Sequence, residues 1–181
     1  MSDPATNVES EEVDQRQLEL AALQGETYDD SLTYMIDEVA DAGDRKRAGD
    51  FVVAFALENA EGLWRQVGDG DLSWVEPEGE NCHLEVAVTD AADGRFVPEL
   101  TVRATLTGDD GTEVGPVELP FLWHPGLFHY GANIAVPDAG TYDVRVTVDP
   151  PTFPRHDRRN GDRYDGESVV FTDVPIEPGR K

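Results

Sequence analysis

The hydrophobic residues of this chain change period once, near residue 50. Before it they recur at helical spacing. Tyr28, Leu32, Met35, Ile36 and Val39 share one side of a predicted helix, with a capping-box-like start at Thr27 and Asp30 and a stop at Gly43. A weaker helix is expected over residues 11–24, where Val13, Leu20 and Leu23 form a ragged apolar side. After residue 50 the apolar positions alternate: Phe51, Val53, Phe55 and Leu57, then Leu84, Val86 and Val88, then Val102, Ala104 and Leu106. Tyr130, Ala132, Ile134 and Val136 continue the pattern, followed by Tyr142, Val144, Val146 and Val148, and last by Val169 with Phe171. Short alternating strands broken by DG, DDG and PDAG turn signals describe an all-β antiparallel β-sandwich. Asp138, Gly140 and Tyr142 have the spacing of a tyrosine corner, which favours an immunoglobulin-like topology. Trp64 and Trp74 flank a GDGD turn and are expected to pack as a hairpin.

The domain division that follows has four parts. Residues 1–26 are acidic and partly disordered or weakly helical, with disorder expected over 1–12. Residues 27–49 are an amphipathic helix ending in a charged linker from Asp44, 50–176 an immunoglobulin-like metal-binding domain, and 177–181 a tail.

Charge narrows the partners. Among 181 residues, 38 Asp and Glu against 14 Lys and Arg give a net charge of -24, which argues against nucleic acid and anionic membrane surfaces. Residues 1–49 hold 13 acidic and 4 basic residues, so -15 of that charge lies on the rest of the chain. Lys46 and Lys181 are the only lysines, and this acidic, lysine-poor balance resembles proteins of salt-accumulating halophilic archaea. Cys82 is the single cysteine, so no intrachain disulfide can form. The sequence as written shows neither a basic and apolar leader nor a membrane-length apolar stretch, and the expectation is a cytoplasmic protein without direct membrane insertion.

The candidate chemistry is metal binding. On a strand, residues two apart share a face, so Cys82, Leu84, Val86 and Val88 point into the core while His83 and Glu85 project together from the other side. The same alternation places His129 outside the core lined by Tyr130, Ala132 and Ile134. Loops rich in Pro and Gly supply His124 and His156, with Trp123 either shielding the ion or anchoring its loop. Imidazole and carboxylate donors suit Cu(II), Fe and Zn(II). A sulfur ligand is not expected, because Cys82 faces the core and Met35 lies in the N-terminal helix.

The segments HLEVAVTD, HYGANIAV and the later RHD together resemble the periplasmic ferrous-iron transport proteins, copper-binding components of bacterial iron uptake. The resemblance covers roughly residues 50–175. It implies an immunoglobulin-like sandwich, a homodimer, a membrane iron permease or metal acceptor protein as partner, an extracytoplasmic location, and ligands at His83, Glu85, His129 and His156. The family places a methionine ligand ahead of H-Y-G-x-N, where this chain has Leu122 in LPFLWHPGLF; His124 is the residue available to replace it.

Other functions find less support. A His-x-Glu motif followed by a later histidine is also the order of a mononuclear iron oxygenase, but the usual double-stranded β-helix needs more strands than the pattern gives, and no arginine for a cosubstrate carboxylate is obvious, although Arg155, Arg158 and Arg159 lie near His156. An immunoglobulin-like domain can also be a pure protein-interaction module. No nucleophile set is proposed: Ser73 and Ser168 lack nearby partners, and Cys82 is expected to be buried. The glycines of GDGD and DDGT precede no helix and read as turn formers.

Overall fold

The structure is a computed structural model that describes residues 6–66 and 68–179. Strand formation follows the alternation. Two antiparallel sheets enclose the core: β1 (Ala42–Ala48), β2 (Phe51–Asn59), β5 (Cys82–Asp90), β9 (His129–Ile134) and β8 (Phe121–Leu122) form one, in the order β1-β2-β5-β9-β8. The second is β11 (Glu167–Ile176), β10 (Gly140–Val148), β6 (Val102–Gly108) and β7 (Glu113–Leu119), in the order β11-β10-β6-β7. Phe51, Phe55, Leu84, Val86, Val102, Leu106, Tyr130, Val144, Val146 and Phe171 are almost wholly buried between them. The tyrosine corner is present, with the Tyr142 hydroxyl donating to the Asp138 carbonyl at 2.8 Å. The tryptophan hairpin is also present: β3 (Leu63–Gln66) pairs with β4 (Leu72–Val75), Trp64 lies opposite Trp74, and their ring centroids are 5.8 Å apart.

The N-terminal region differs from expectation in three ways. One helix, α1 (Gln15–Tyr34), replaces the two expected, and it runs on through a π-helical turn at Met35–Val39. It starts at Asp14, whose carboxylate accepts from the Gln17 amide while the Gln17 side chain accepts from the Asp14 amide. Thr27 and Asp30 are therefore interior, and the Thr27 hydroxyl bonds back to the Leu23 carbonyl four residues earlier. Gly25 stays helical because α1 touches the loop after β5 there: a Cβ would sit 1.7 Å from the Asp93 carbonyl oxygen.

The charged run from Asp44 is not a linker. It is β1, paired with β2 along its whole length from Ala42↔Leu57 to Ala48↔Phe51, and Gly43 lies within it. Charge on both faces hid the alternation, yet an edge strand tolerates charge and is protected by it from pairing with another chain. The sheet domain thus begins at residue 42 rather than 50. Residues 7–10, expected to be disordered, lie against the segment between β10 and β11: Val8 pairs with the Asn160 amide in both directions, and the Ser10 hydroxyl donates to Asp157. The expected disorder of residues 1–5 and the last two residues of the 177–181 tail fall outside the described residues.

The placement of α1 matters most for function. Leu32 and Met35 bury themselves against Ala54, Ala56, Ala87 and Leu127, on the face of the five-stranded sheet that points away from the sandwich core. Three alanines make that face shallow enough for a helix to lie on it. Every residue of β5 is buried as a result, on both faces.

Candidate metal centre

Strand register builds the site. On the helix-covered face of the sheet, Glu58, His83 and Asn133 form one cross-strand row, and Ala56, Glu85 and Gly131 the next. The small residues on either side of Glu85 leave room around its carboxylate. At Gly131 the space is already taken, since a Cβ would lie 3.1 Å from His129 Cδ2 and 3.1 Å from Leu122 Cδ1.

His83, Glu85 and His129 converge there. Their ligand atoms all lie within 4.8 Å of one another. Glu85 Oε1 is 3.4 Å from His129 Nε2 and 3.7 Å from His83 Nε2, and the side chains are at most 5% exposed. These separations are too long for good hydrogen bonds, but they match neighbouring ligands on one ion with bonds of about 2.0–2.2 Å. His83 Nε2, His129 Nε2 and Glu85 Oε2 are buried without a hydrogen-bond partner among the described residues. Orphaned polar atoms in a protein interior are costly, and two unpartnered imidazole nitrogens turned toward one carboxylate fit a metal ion.

The other ring nitrogens fix the tautomers. His129 Nδ1–H donates to the Leu127 carbonyl at 3.0 Å, and His83 Nδ1–H donates to Asn133 Oδ1 at 2.8 Å. Asn133 is itself oriented by donating its amide N–H to the Glu61 carbonyl at 2.7 Å. Both Nε2 lone pairs are thereby left facing Glu85.

Burial sets the protonation state. It lowers the pKa of His83, and that of His129 to about 4. Burial pushes Glu85 up to about 8, with Glu58 and Glu61 adding like charge. At neutral pH the metal-free site is therefore two neutral imidazoles facing a protonated carboxyl. The Tyr28 hydroxyl, on α1, donates to the Phe128 carbonyl, and its pKa is raised by burial first and then by Glu85.

The remaining expected ligands stand apart from this triad. His124 is nearby, its ring 6.1 Å from that of His129, but its Nδ1 accepts from the Gly126 and Leu127 amides at 3.1 and 3.3 Å. A neutral ring so held carries its proton on Nε2 and presents a donor, so His124 orders the loop that delivers Leu127. It also lines, with Met35, Glu58, Glu61 and Leu127, a cavity of about 510 Å³ beside the triad. His156 is not brought to the triad within one chain. Its side chain is 94% exposed on the segment after β10, in the opposite sheet, 3.4 Å from Glu12. Trp123 is exposed and shields nothing. Leu122 pairs with His129 across β8 and β9, which puts an apolar side chain beside the triad. Met35, expected to be remote, packs on the triad's face of the sheet.

Sequence reasoning missed Asn133, Gly131 and Leu127. The first two share the parity of His129 along β9, a signal that was there to be read; Leu127 carried none.

Residues 70–169 match the Fe2+ transport protein family. The chain belongs to that family. A UPF0423 protein of Brucella abortus is 30% identical over 120 residues, 57% of this chain and 65% of the relative, so the match spans less than two thirds of that relative's length. Among solved structures, FetP of uropathogenic Escherichia coli superposes with a TM-score of 0.60 at 20% identity, over 75% of this chain and 95% of FetP. A copper-bound variant of Campylobacter jejuni P19 gives 0.62 at 21% identity, over 77% and 97%. These likenesses establish the β-sandwich fold.

Proposed function

We propose that this member of the Fe2+ transport protein family is a non-enzymatic metal-binding protein of iron or copper handling, with His83, Glu85 and His129 as its ligands. The observation that carries the reading is the convergence of three buried side chains whose ligand atoms lie within 4.8 Å of one another, with both imidazole Nε2 atoms lacking a hydrogen-bond partner among the described residues. Two imidazoles and a carboxylate, with Leu122 in place of a sulfur donor, favour Cu(II) or an Fe ion, and they also accommodate Zn(II). The copper-bound state of the P19 structures supports copper first. The compartment and partners belong to the same proposal. FetP was produced in the periplasm of its host, and we place this chain outside the cytoplasm, as a homodimer that exchanges its ion with a membrane permease or acceptor protein. No helix among the described residues is long and apolar enough to cross a membrane.

Metal-free, untagged protein titrated by calorimetry with Cu(II), Fe(II) and Zn(II) tests this. One ion per chain is expected, with binding abolished in the His83→Ala/His129→Ala variant; unchanged stoichiometry in that variant overturns the assignment. The triad is also the donor set of a two-histidine, one-carboxylate oxygenase. Arg155, Arg158 and Arg159 follow β10 in the opposite sheet and do not join the triad's face, which favours the carrier. Oxygen uptake with Fe(II) and a 2-oxoacid would reverse that preference.

A further inference from the structure

In a chain of net charge -24, four arginines fall in the single segment between β10 and β11: Arg155, Arg158, Arg159 and Arg163. Two of them, with Arg95 from the loop after β5, line a cavity of about 300 Å³ that is closed on another side by Asn7, Val13 and Leu18 of the N-terminal region. Arg163 is the group that needs explaining. Its side chain is only 10% exposed; Nη1 donates to Asn7 and Nη2 to Asp90, while its buried Nε–H has no partner among the described residues. A cationic N–H left unsatisfied in a protein interior is among the most costly of polar defects.

A second guanidinium adds to the first. Arg155 and Arg163 both lie over the Tyr164 ring, 5.6 and 4.7 Å from its centroid. Arg155 donates only to the Pro151 carbonyl and is paired with no carboxylate among the described residues. The carboxylates in the wall are already engaged. Asp90 accepts from Arg163, the Tyr164 hydroxyl and the Ala92 amide, and Asp157 accepts from Ser10, Asn160 and the Arg159 and Asn160 amides. Arg95 is paired with Asp93. Among the arginines of the wall, Arg95 is thus paired with Asp93 and Arg163 with Asp90 and Asp50, and Arg155 is the one left without an acidic partner among the described residues.

We propose that this cavity binds a small carboxylate anion, held by the Arg163 Nε–H and the Arg155 guanidinium. A planar guanidinium matches a carboxylate in shape and charge, and the Val13 and Leu18 side chains suit a short carbon skeleton. The site is separate from the His83, Glu85 and His129 triad and does not depend on the metal reading.

Malonate is the probe, added to the full-length chain at constant ionic strength against a chloride control. Calorimetry should show one site per chain, and the arginine Nε–H resonance assigned to Arg163 should shift on saturation. Arg155→Ala removes an exposed guanidinium and Arg163→Lys keeps the charge beside Asp90 while deleting the Nε–H; each should weaken binding about tenfold or more. The proposal is overturned if malonate leaves the Arg163 resonance unmoved, which would mean a cavity filled by water alone, or if both variants bind as the parent does. Equal or tighter binding of inorganic phosphate would overturn the carboxylate assignment. Malonate binding should persist in the His83→Ala/His129→Ala variant, and its loss there would reassign the anion to the metal site.

Discussion

Glu85 governs the chemistry of the triad, because its proton must leave before an ion can bind. With Glu85 at about 8, each ion bound at pH 7 should release about one proton, measurable as a dependence of binding enthalpy on the buffer's own ionisation heat. The same shift makes metal-free stability depend on pH. Raised from 4.5 to about 8, Glu85 contributes stability that is complete below 4.5 and lost as pH rises through 8. His129, lowered from 6.5 to about 4, acts in the opposite sense between those two values. Above 6.5 the His129 effect is complete while that of Glu85 is still being lost, so the metal-free protein should lose thermal stability from there to 8, and Glu85→Gln should flatten the profile. Asn133 acts through His83. Asn133→Ala removes the acceptor that holds the Nδ1 proton, and ion affinity should fall about 10- to 100-fold while the circular dichroism spectrum is kept. His83, Glu85 and His129 were legible in the sequence because strand parity fixes which side chains share a face. That His156 lies away from the triad of its own chain was not legible, because a histidine on a loop has no parity, and nothing local says which end of the sandwich that loop occupies.

Helix α1 turns a sheet face into an interior. Without it His83, Glu85 and His129 would face solvent, their pKa values would lie near the ordinary ones, and the three orphaned donors would be hydrated. Its seat is narrow at Gly25, where the backbone of the loop after β5 leaves no room for a side chain. Gly25→Ala should lift α1 from the sheet. Hydrogen exchange should then show lost protection over residues 15–39 while β5 and β10 stay protected, and a chelator should strip the ion faster than from the parent. The helix itself was legible from Tyr28, Leu32, Met35 and Ile36. Its unbroken length was not, since a glycine and a capping-box pattern at residues 25–30 imitate a boundary that tertiary contact overrides.

Across the whole molecule, a charge of -24 on 181 residues works against compactness through self-repulsion. Salt screens that repulsion over a Debye length of about 10 Å at 0.1 M and about 3 Å at 1 M. Melting temperature should therefore rise steadily between those concentrations, and a flat or falling curve would remove the halophile-like reading of the composition. The sequence by itself determined the two-layer sandwich, the tyrosine corner, the tryptophan hairpin and the inward or outward side of the alternating residues on β2, β5, β6, β9, β10 and the start of β11, because these follow from a period of two and from local turn chemistry. Only the tertiary structure decided that the charged run at residues 42–48 is an edge strand, that α1 closes over the triad, and that His124 and His156 stand outside it. Those outcomes depend on which surfaces meet, and contacts between residues far apart in the chain leave no periodic trace in it.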